Sequence, residues 1–238
     1  MDPRQHELAR IALQTVGRRG FVLGGGHAVM LHGMGTRPSE DVDLFSDVRG
    51  TPGEVADDVI ASFESAGHSV TIVRRTPDLV QLTVTYQDGY ASKVDLGVFW
   101  RSQLPVLLEV GPVLHPDDAV AGKMDALFNR WAPRDYLDIE AILGSGRYSP
   151  EQLITIAAAH DGKSEPPVQP NGRHRLRRSA HRIYRNCCSA GGEVGHDGVQ
   201  PSSCNRTGRC VTAHGIAAVA FRAACCAGAG VGTVGAYR

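Results

Sequence analysis

Arg37-Pro38-Ser39-Glu40-Asp41-Val42-Asp43-Leu44-Phe45 is the stretch on which the fold of this chain turns. Alternate residues of a strand point to the same face, so Asp41 and Asp43 project side by side while Val42 and Leu44 enter a core. Two carboxylates held that close repel each other unless a cation lies between them. A second strand-like run, Lys93-Val94-Asp95-Leu96-Gly97-Val98-Phe99, adds Asp95 between apolar neighbours. Phosphoryl and nucleotidyl transfer ask the protein for charge neutralisation and in-line placement, which two Mg²⁺ ions roughly 4 Å apart provide. Three carboxylates on adjacent strands suit that task, with Asp41 and Asp43 bridging the metals and Asp95 binding the one that activates the attacking hydroxyl. The plain alternative for Asp41-Val-Asp43 alone is an edge strand with a solvated acidic face. Asp95, in a run that otherwise looks buried, counts against it.

Working outward, Phe21-Val22-Leu23 is a short apolar strand running into Gly24-Gly25-Gly26, and His27 to His32 has helical composition. Glycines between a strand and a helix let backbone N–H groups approach a phosphate, although three glycines alone can equally be a tight turn. Helical spacing predicts helices over 6–16 and 51–66, the latter opened by Thr51-Pro52 and closed at Gly67. Strands are expected over 41–45, 68–74, 79–86 and 92–99, with Gln87-Asp88-Gly89 as a turn. Helices follow over 116–130 and 134–143, and a last one capped by Ser149-Pro150-Glu151 ends near His160. A mixed sheet followed by a helical bundle is an α+β arrangement. The expected division is a core over 1–115, a helical subdomain over 116–162 and a tail over 163–238.

Composition supports that last boundary. The 238 residues are 42% hydrophobic, enough for a sizeable core, and carry a formal net charge of zero. That zero hides an asymmetry: residues 1–162 hold 22 acidic and 14 basic residues, residues 163–238 hold 3 and 11. All six cysteines lie in the second part. With no signal-peptide pattern and no bilayer-length apolar run, the expectation is a cytoplasmic protein without membrane contact.

Further along, Lys123 lies mid-helix in Ala-Gly-Lys-Met-Asp-Ala-Leu, and Arg134-Asp135-Tyr136-Leu137-Asp138 sets two acids three apart on one helical face. A surface salt-bridge ladder is the simple account of both.

Taken in order, Gly25-Gly26-His27-Ala28-Val29, the Arg37 to Phe45 element, Lys93-Val94-Asp95, Lys123 with Ala126-Leu127, and Arg134 to Asp138 resemble the AbiEii/AbiGii family of nucleotidyltransferase toxins, which includes MenT-like proteins. These belong to the DNA polymerase β-like nucleotidyltransferase superfamily, and the resemblance runs from about Phe21 to about His160. It implies a polymerase-β-like core followed by a helical bundle, and Mg²⁺ (or Mn²⁺) as cofactor. Gly25 and Gly26 would shape the phosphate loop, and Asp41 and Asp43 would bind metal with Asp95 as third carboxylate. Lys123 would contact the triphosphate, and Asp135 would be the acidic residue near the nucleotide, with Arg134 and Asp138 completing the helix motif. Arg37 and Ser39 match an Arg-x-Ser-x-Asp element able to hold phosphate oxygens. His27 stands where many relatives carry Thr or Ser, and either donates to phosphate in their place or packs.

The resemblance also implies the toxin of a type IV toxin–antitoxin pair that adds nucleotides from an NTP to the 3′ end of tRNA, with a separately encoded antitoxin as partner. An acidic core argues against a broad basic nucleic-acid groove. A tRNA site is therefore local, with Arg18, Arg19, Arg74, Arg75, Arg130 and Arg134 as candidates. Other readings keep the chemistry with a protein or small-molecule acceptor, or make the chain an inactive interaction module. The tail reads as a disordered basic extension, a frame-altered C-terminus, or a basic arm for tRNA. Its cysteine spacing does not suit a zinc knuckle.

Overall fold

A computed structural model describes residues 1–129 and 132–161. Helix α1, Pro3–Val16, starts where Asp2 accepts hydrogen bonds from the backbone of Arg4 and Gln5, and Pro3 takes the first turn, where no N–H is needed. Its buried stripe is Leu8, Ala9, Ala12, Leu13 and Val16. A 3₁₀ turn over Gly17–Arg19 and the left-handed Gly20 reverse the chain into β1, Val22–Leu23. There follow α2 (Gly25–Leu31), β2 (Asp41–Ser46), α3 (Thr51–Ser65), β3 (Ser69–Arg75), β4 (Leu79–Thr85) and β5 (Ala91–Val98). Two short strands, β6 (Val106–Leu108) and β7 (Gly111–Val113), precede α4 (Pro116–Asn129), α5 (Pro133–Gly144) and α6 (Pro150–Asp161).

The strands form one mixed seven-stranded sheet in the order β3-β4-β5-β2-β1-β7-β6. β2 runs parallel to β5 and antiparallel to β1, and β3, β4 and β5 form an antiparallel meander. Period-two alternation drives Val42 and Leu44 of β2, Val80, Leu82 and Val84 of β4, and Val94 and Leu96 of β5 into a core roofed by α1 and α3. Each such side chain contributes about 1.5–3 kcal/mol on burial. The residues between them lie on the opposite face, which no helix covers over β3, β4 and β5 (among the described residues).

The last three helices stand beside that open face. α4 packs on α2, α5 and α6. Asp118, buried in its first turn, accepts from the Ser102 and Gln103 backbone N–H groups and the Ser102 hydroxyl, which ties down the chain beyond β5. His160 stacks on Phe99 and shares a 2.7 Å hydrogen bond with the Trp100 carbonyl, fixing α6 against the same segment.

The α+β class and the order of elements agree with expectation, and the helix and strand limits differ by a few residues. Strands β6 and β7 are additions: at three residues each, around Gly111 and Pro112, they are too short to show a period. Gly25 and Gly26 begin α2 and do not form a loop ahead of it. Among the described residues no helix is long and apolar enough to cross a membrane. Arg130, the cysteines and the expected tail over 163–238 lie outside the described residues.

Candidate active site

Parallel pairing of β2 with β5 sets Asp43 opposite Asp95 and Asp41 opposite Lys93, so the three carboxylates share the open face. Asp95 accepts a 2.9 Å hydrogen bond from the Gln81 amide on β4, its neighbour in register. Burial pushes its carboxyl pKa up, with the Asp41 charge adding to that and Gln81 opposing it. One Asp41 oxygen, Oδ1, is buried and accepts no hydrogen bond, with the Lys93 ammonium 3.9 Å away. Among the described residues no three His, Cys, Asp or Glu side chains are grouped so that they could hold one metal ion together. Hard oxygen donors on one face, with one buried oxygen unsatisfied, are nevertheless the chemistry that suits Mg²⁺ or Mn²⁺.

The glycine turn is shaped by this carboxylate pair. Gly24 N–H donates to the Asp43 carbonyl at 2.8 Å. Gly25 has φ +58°, and a Cβ there would lie 1.8 Å from Asp43 Oδ2, so only glycine lets the turn pass so close. Gly26 meets Ser39 in the same way: a Cβ would come 2.8 Å from its Oγ. The Ser39 hydroxyl donates to the Asp41 carbonyl at 3.2 Å, and Gln5 of α1 donates to the carbonyls of Ser39 and Glu40. The segment entering β2 is thus fixed from both sides.

Across the cleft stand the cations. Arg37 binds Asp138 of α5 through Nε and Nη2 at 2.9 and 3.1 Å, and Lys123 of α4 reaches the same carboxylate at 2.7 Å. Asp138 is 6% exposed and Lys123 9%. Burial raises the Asp138 pKa, but the Arg37 hydrogen bonds and the Lys123 charge outweigh it and hold the carboxyl below its usual range. Asp138 is thus a clamp on two cations and not a rung of a surface ladder.

Arg37, Ser39, Asp41, Asp43, Gly26, Lys123 and Arg134 line one polar cleft. Other expected site residues lie around it. Asp95 is one strand over, and Gly25 is beneath Asp43. Asp135 is fully buried at the start of α5, where it accepts from the Ala132 N–H. His27 is fully buried with neither ring nitrogen hydrogen-bonded. Burial first, then the Met1 amino group and Lys123, lower its pKa to about 4, so the ring is neutral and packs beneath the turn. Sequence reasoning passed over Glu40, which lines the cleft, and Gln81 and Gln5, which hold its carboxylate and its entry segment. A lone Gln amid the Val80-Leu82-Val84 alternation was the available signal for Gln81.

Among solved structures, JHP933 from Helicobacter pylori is 15% identical with a TM-score of 0.49, covering 94% of this chain and 90% of that one. MenT4, a nucleotidyltransferase toxin from Mycobacterium tuberculosis H37Rv, is 16% identical with a TM-score of 0.46, covering 71% and 70%. No curated protein matches the chain significantly. The family described as "Nucleotidyl transferase AbiEii toxin, Type IV TA system" matches residues 8–185, most of the chain. The chain therefore belongs to the AbiEii family of nucleotidyltransferase toxins of type IV toxin–antitoxin systems.

Proposed function

We propose that the protein transfers a nucleoside monophosphate from an NTP to the 3′-terminal hydroxyl of tRNA, thereby blocking translation, and that a separately encoded antitoxin neutralises it. The observation that carries this reading is the cleft that sets Asp41 and Asp43 against Lys123, Arg134 and Arg37. Carboxylates on one wall and cations on the other complement a triphosphate with its divalent ions. Mg²⁺ or Mn²⁺ bound by Asp41, Asp43 and Asp95 would neutralise phosphate charge and favour ionisation of the acceptor hydroxyl.

The chain's own residues do the rest. Lys123, Arg37 and Arg134 take the triphosphate oxygens, and Gly25, Gly26 and Ser39 allow the phosphates to approach the backbone. Asp138 keeps Lys123 and Arg37 aimed into the cleft, while Asp135 fixes the start of the helix that carries Arg134. The acceptor oxygen attacks the α-phosphorus, the bond from that phosphorus to the bridging oxygen breaks, and pyrophosphate leaves with the electron pair. The hydroxyl proton passes to solvent.

Incubating purified protein with each of four labelled NTPs, Mg²⁺ and total tRNA tests the reading. Label at the tRNA 3′ end from at least one NTP is expected. Label on protein or on a small molecule would move the acceptor elsewhere, and nucleotide binding without turnover would make the chain an interaction module.

A further inference from the structure

We infer that the face of β5, β4 and β3 that no helix covers among the described residues is a track along which the single-stranded end of an RNA acceptor reaches the carboxylates, with Lys93 and Arg74 holding its phosphates. The inference rests on the nucleotidyl-transfer reading above and specifies its acceptor side.

Strand register lays the track out. One row crosses the sheet from Asp43 to Asp95, Gln81 and Arg74, and a second from Asp41 to Lys93, Thr83 and Thr71. Both rows lie on the face away from α1 and α3, since Val80, Leu82, Val94 and Leu96 between them are buried on the other side. Strands stand about 4.8 Å apart, so Arg74 is roughly 14 Å from Asp43 across the sheet.

A β-bulge puts Arg74 there. Ile72 pairs with Leu82, and the register then shifts so that Arg74, and not Val73, stands opposite Gln81. In an unbroken strand Val73 would occupy that place and Arg74 would turn towards α3. Bulges at sheet edges re-aim side chains in this manner. The next residue marks the contrast: Arg75, expected from the sequence as a tRNA contact, instead pairs with Val80, faces α3, and gives its guanidinium to Asp57 and the Gly53 carbonyl, which keeps it off this face. Arg74 has no such partner among the described residues.

Charge selects the occupant. Beyond the carboxylates, the two rows carry only Lys93 and Arg74 as charged groups, both exposed, amid threonine hydroxyls and the Gln81 amide. Two cations beside a metal-binding chemistry fit a polyanion whose end must enter the cleft. A duplex needs many phosphate contacts, and a segment with 22 acidic and 14 basic residues over 1–162 does not supply them. A single strand held by its backbone needs few.

The test uses the full chain as Arg74→Gln and, matched in charge and position but on the other face, Arg75→Gln. Binding of a fluorescein-labelled single-stranded RNA ending in a 3′-deoxy nucleotide is followed by anisotropy with Mg²⁺ at several salt concentrations, alongside label transfer to tRNA and thermal unfolding. Arg74→Gln is expected to weaken RNA binding about five- to tenfold and to lower the log–log salt slope by about 0.7, with the KM for NTP unchanged. Arg75→Gln should stay within about twofold of wild type, and Lys93→Gln should follow Arg74→Gln in RNA binding. Equal RNA affinities for Arg74→Gln and Arg75→Gln overturn the track, as does a change in sedimentation with RNA affinity unaltered, which would make the face a contact between two copies. If tRNA is labelled but the two variants bind RNA alike, the transfer reading stands and the track falls. If RNA binding depends on Arg74 yet no RNA is labelled, the track stands and the acceptor reading falls.

Discussion

On the β2 side of the cleft three carboxylates share one face with a single lysine; on the α4 and α5 side two cations share one buried carboxylate. One buried Asp41 oxygen in the first cluster accepts no hydrogen bond, whereas both oxygens of Asp138 in the second are held by cations. The two therefore differ in what their charges do for the unliganded protein. Burial and the nearby Asp41 charge both disfavour ionised Asp95, so that carboxylate is kept at some cost in stability. A buried carboxylate clamped by two cations instead holds α4, α5 and the Arg37 segment together, because removing one partner leaves the others uncompensated.

Asp43→Ala is the strongest way to break the comparison. Transfer is expected to fall a thousandfold or more, while the protein still folds. Labelled-NTP transfer and thermal unfolding on one preparation check both halves. A large fall in stability would show that Asp43 serves the fold as much as the reaction.

Asp138→Asn tests the opposite wall. The amide keeps the shape but leaves Lys123 and Arg37 without counter-charge, and a loss of about 2–3 kcal/mol is expected, below the value for a fully buried pair because Arg37 is partly exposed. Chemical denaturation measures it. Unchanged stability with weaker NTP binding would turn the clamp into a direct ligand of the nucleotide.

Gly25→Ala reaches the same contrast through the backbone. At φ +58°, with Asp43 Oδ2 1.8 Å from where the Cβ would sit, the substitution strains the turn and displaces the carboxylate. A cost of about 1–2 kcal/mol is expected from the left-handed conformation alone, together with lower transfer. Full activity would mean that the turn can move without disturbing Asp43.

Much of this geometry could be read from sequence because strands announce themselves by alternation. Alternation alone separates Asp41, Asp43 and Asp95 from Val42, Leu44, Val94 and Leu96, and the pairing of β2 with β5 then puts the three carboxylates on one face. The strands β6 and β7 offered no such period. Contacts between residues distant in sequence were hidden: nothing near Arg37 indicates that its partner is Asp138, 101 positions on. Helical spacing put Asp135 and Asp138 on one face, yet one satisfies the start of its own helix and the other clamps two cations. Strand periodicity is likewise blind to a bulge, so the facing of Arg74 and Arg75 emerged only from the register.

His27 gives the smallest expected effect and joins the two clusters, since it lies buried beneath the glycine turn within the field of Lys123. Its folded pKa of about 4 lies below the model-compound value of 6.5, lowered by burial, the Met1 amino group and Lys123, with Asp2 opposing. Between those two values the unfolded chain binds more protons than the folded one, so stability rises with pH across that window. The contribution is present above pH 6.5 and drains away as pH falls towards 4. From pH 7 to 5.5 the loss from this one ring is about 1 kcal/mol. Comparing wild type with His27→Thr isolates it, because His32, whose pKa burial also lowers, and the carboxylates titrate in both proteins. The wild type should lose about 1 kcal/mol more than the variant over that interval. Equal slopes would mean that the ring is protonated or solvated beneath the turn, and that Lys123 is then balanced by more than Asp138.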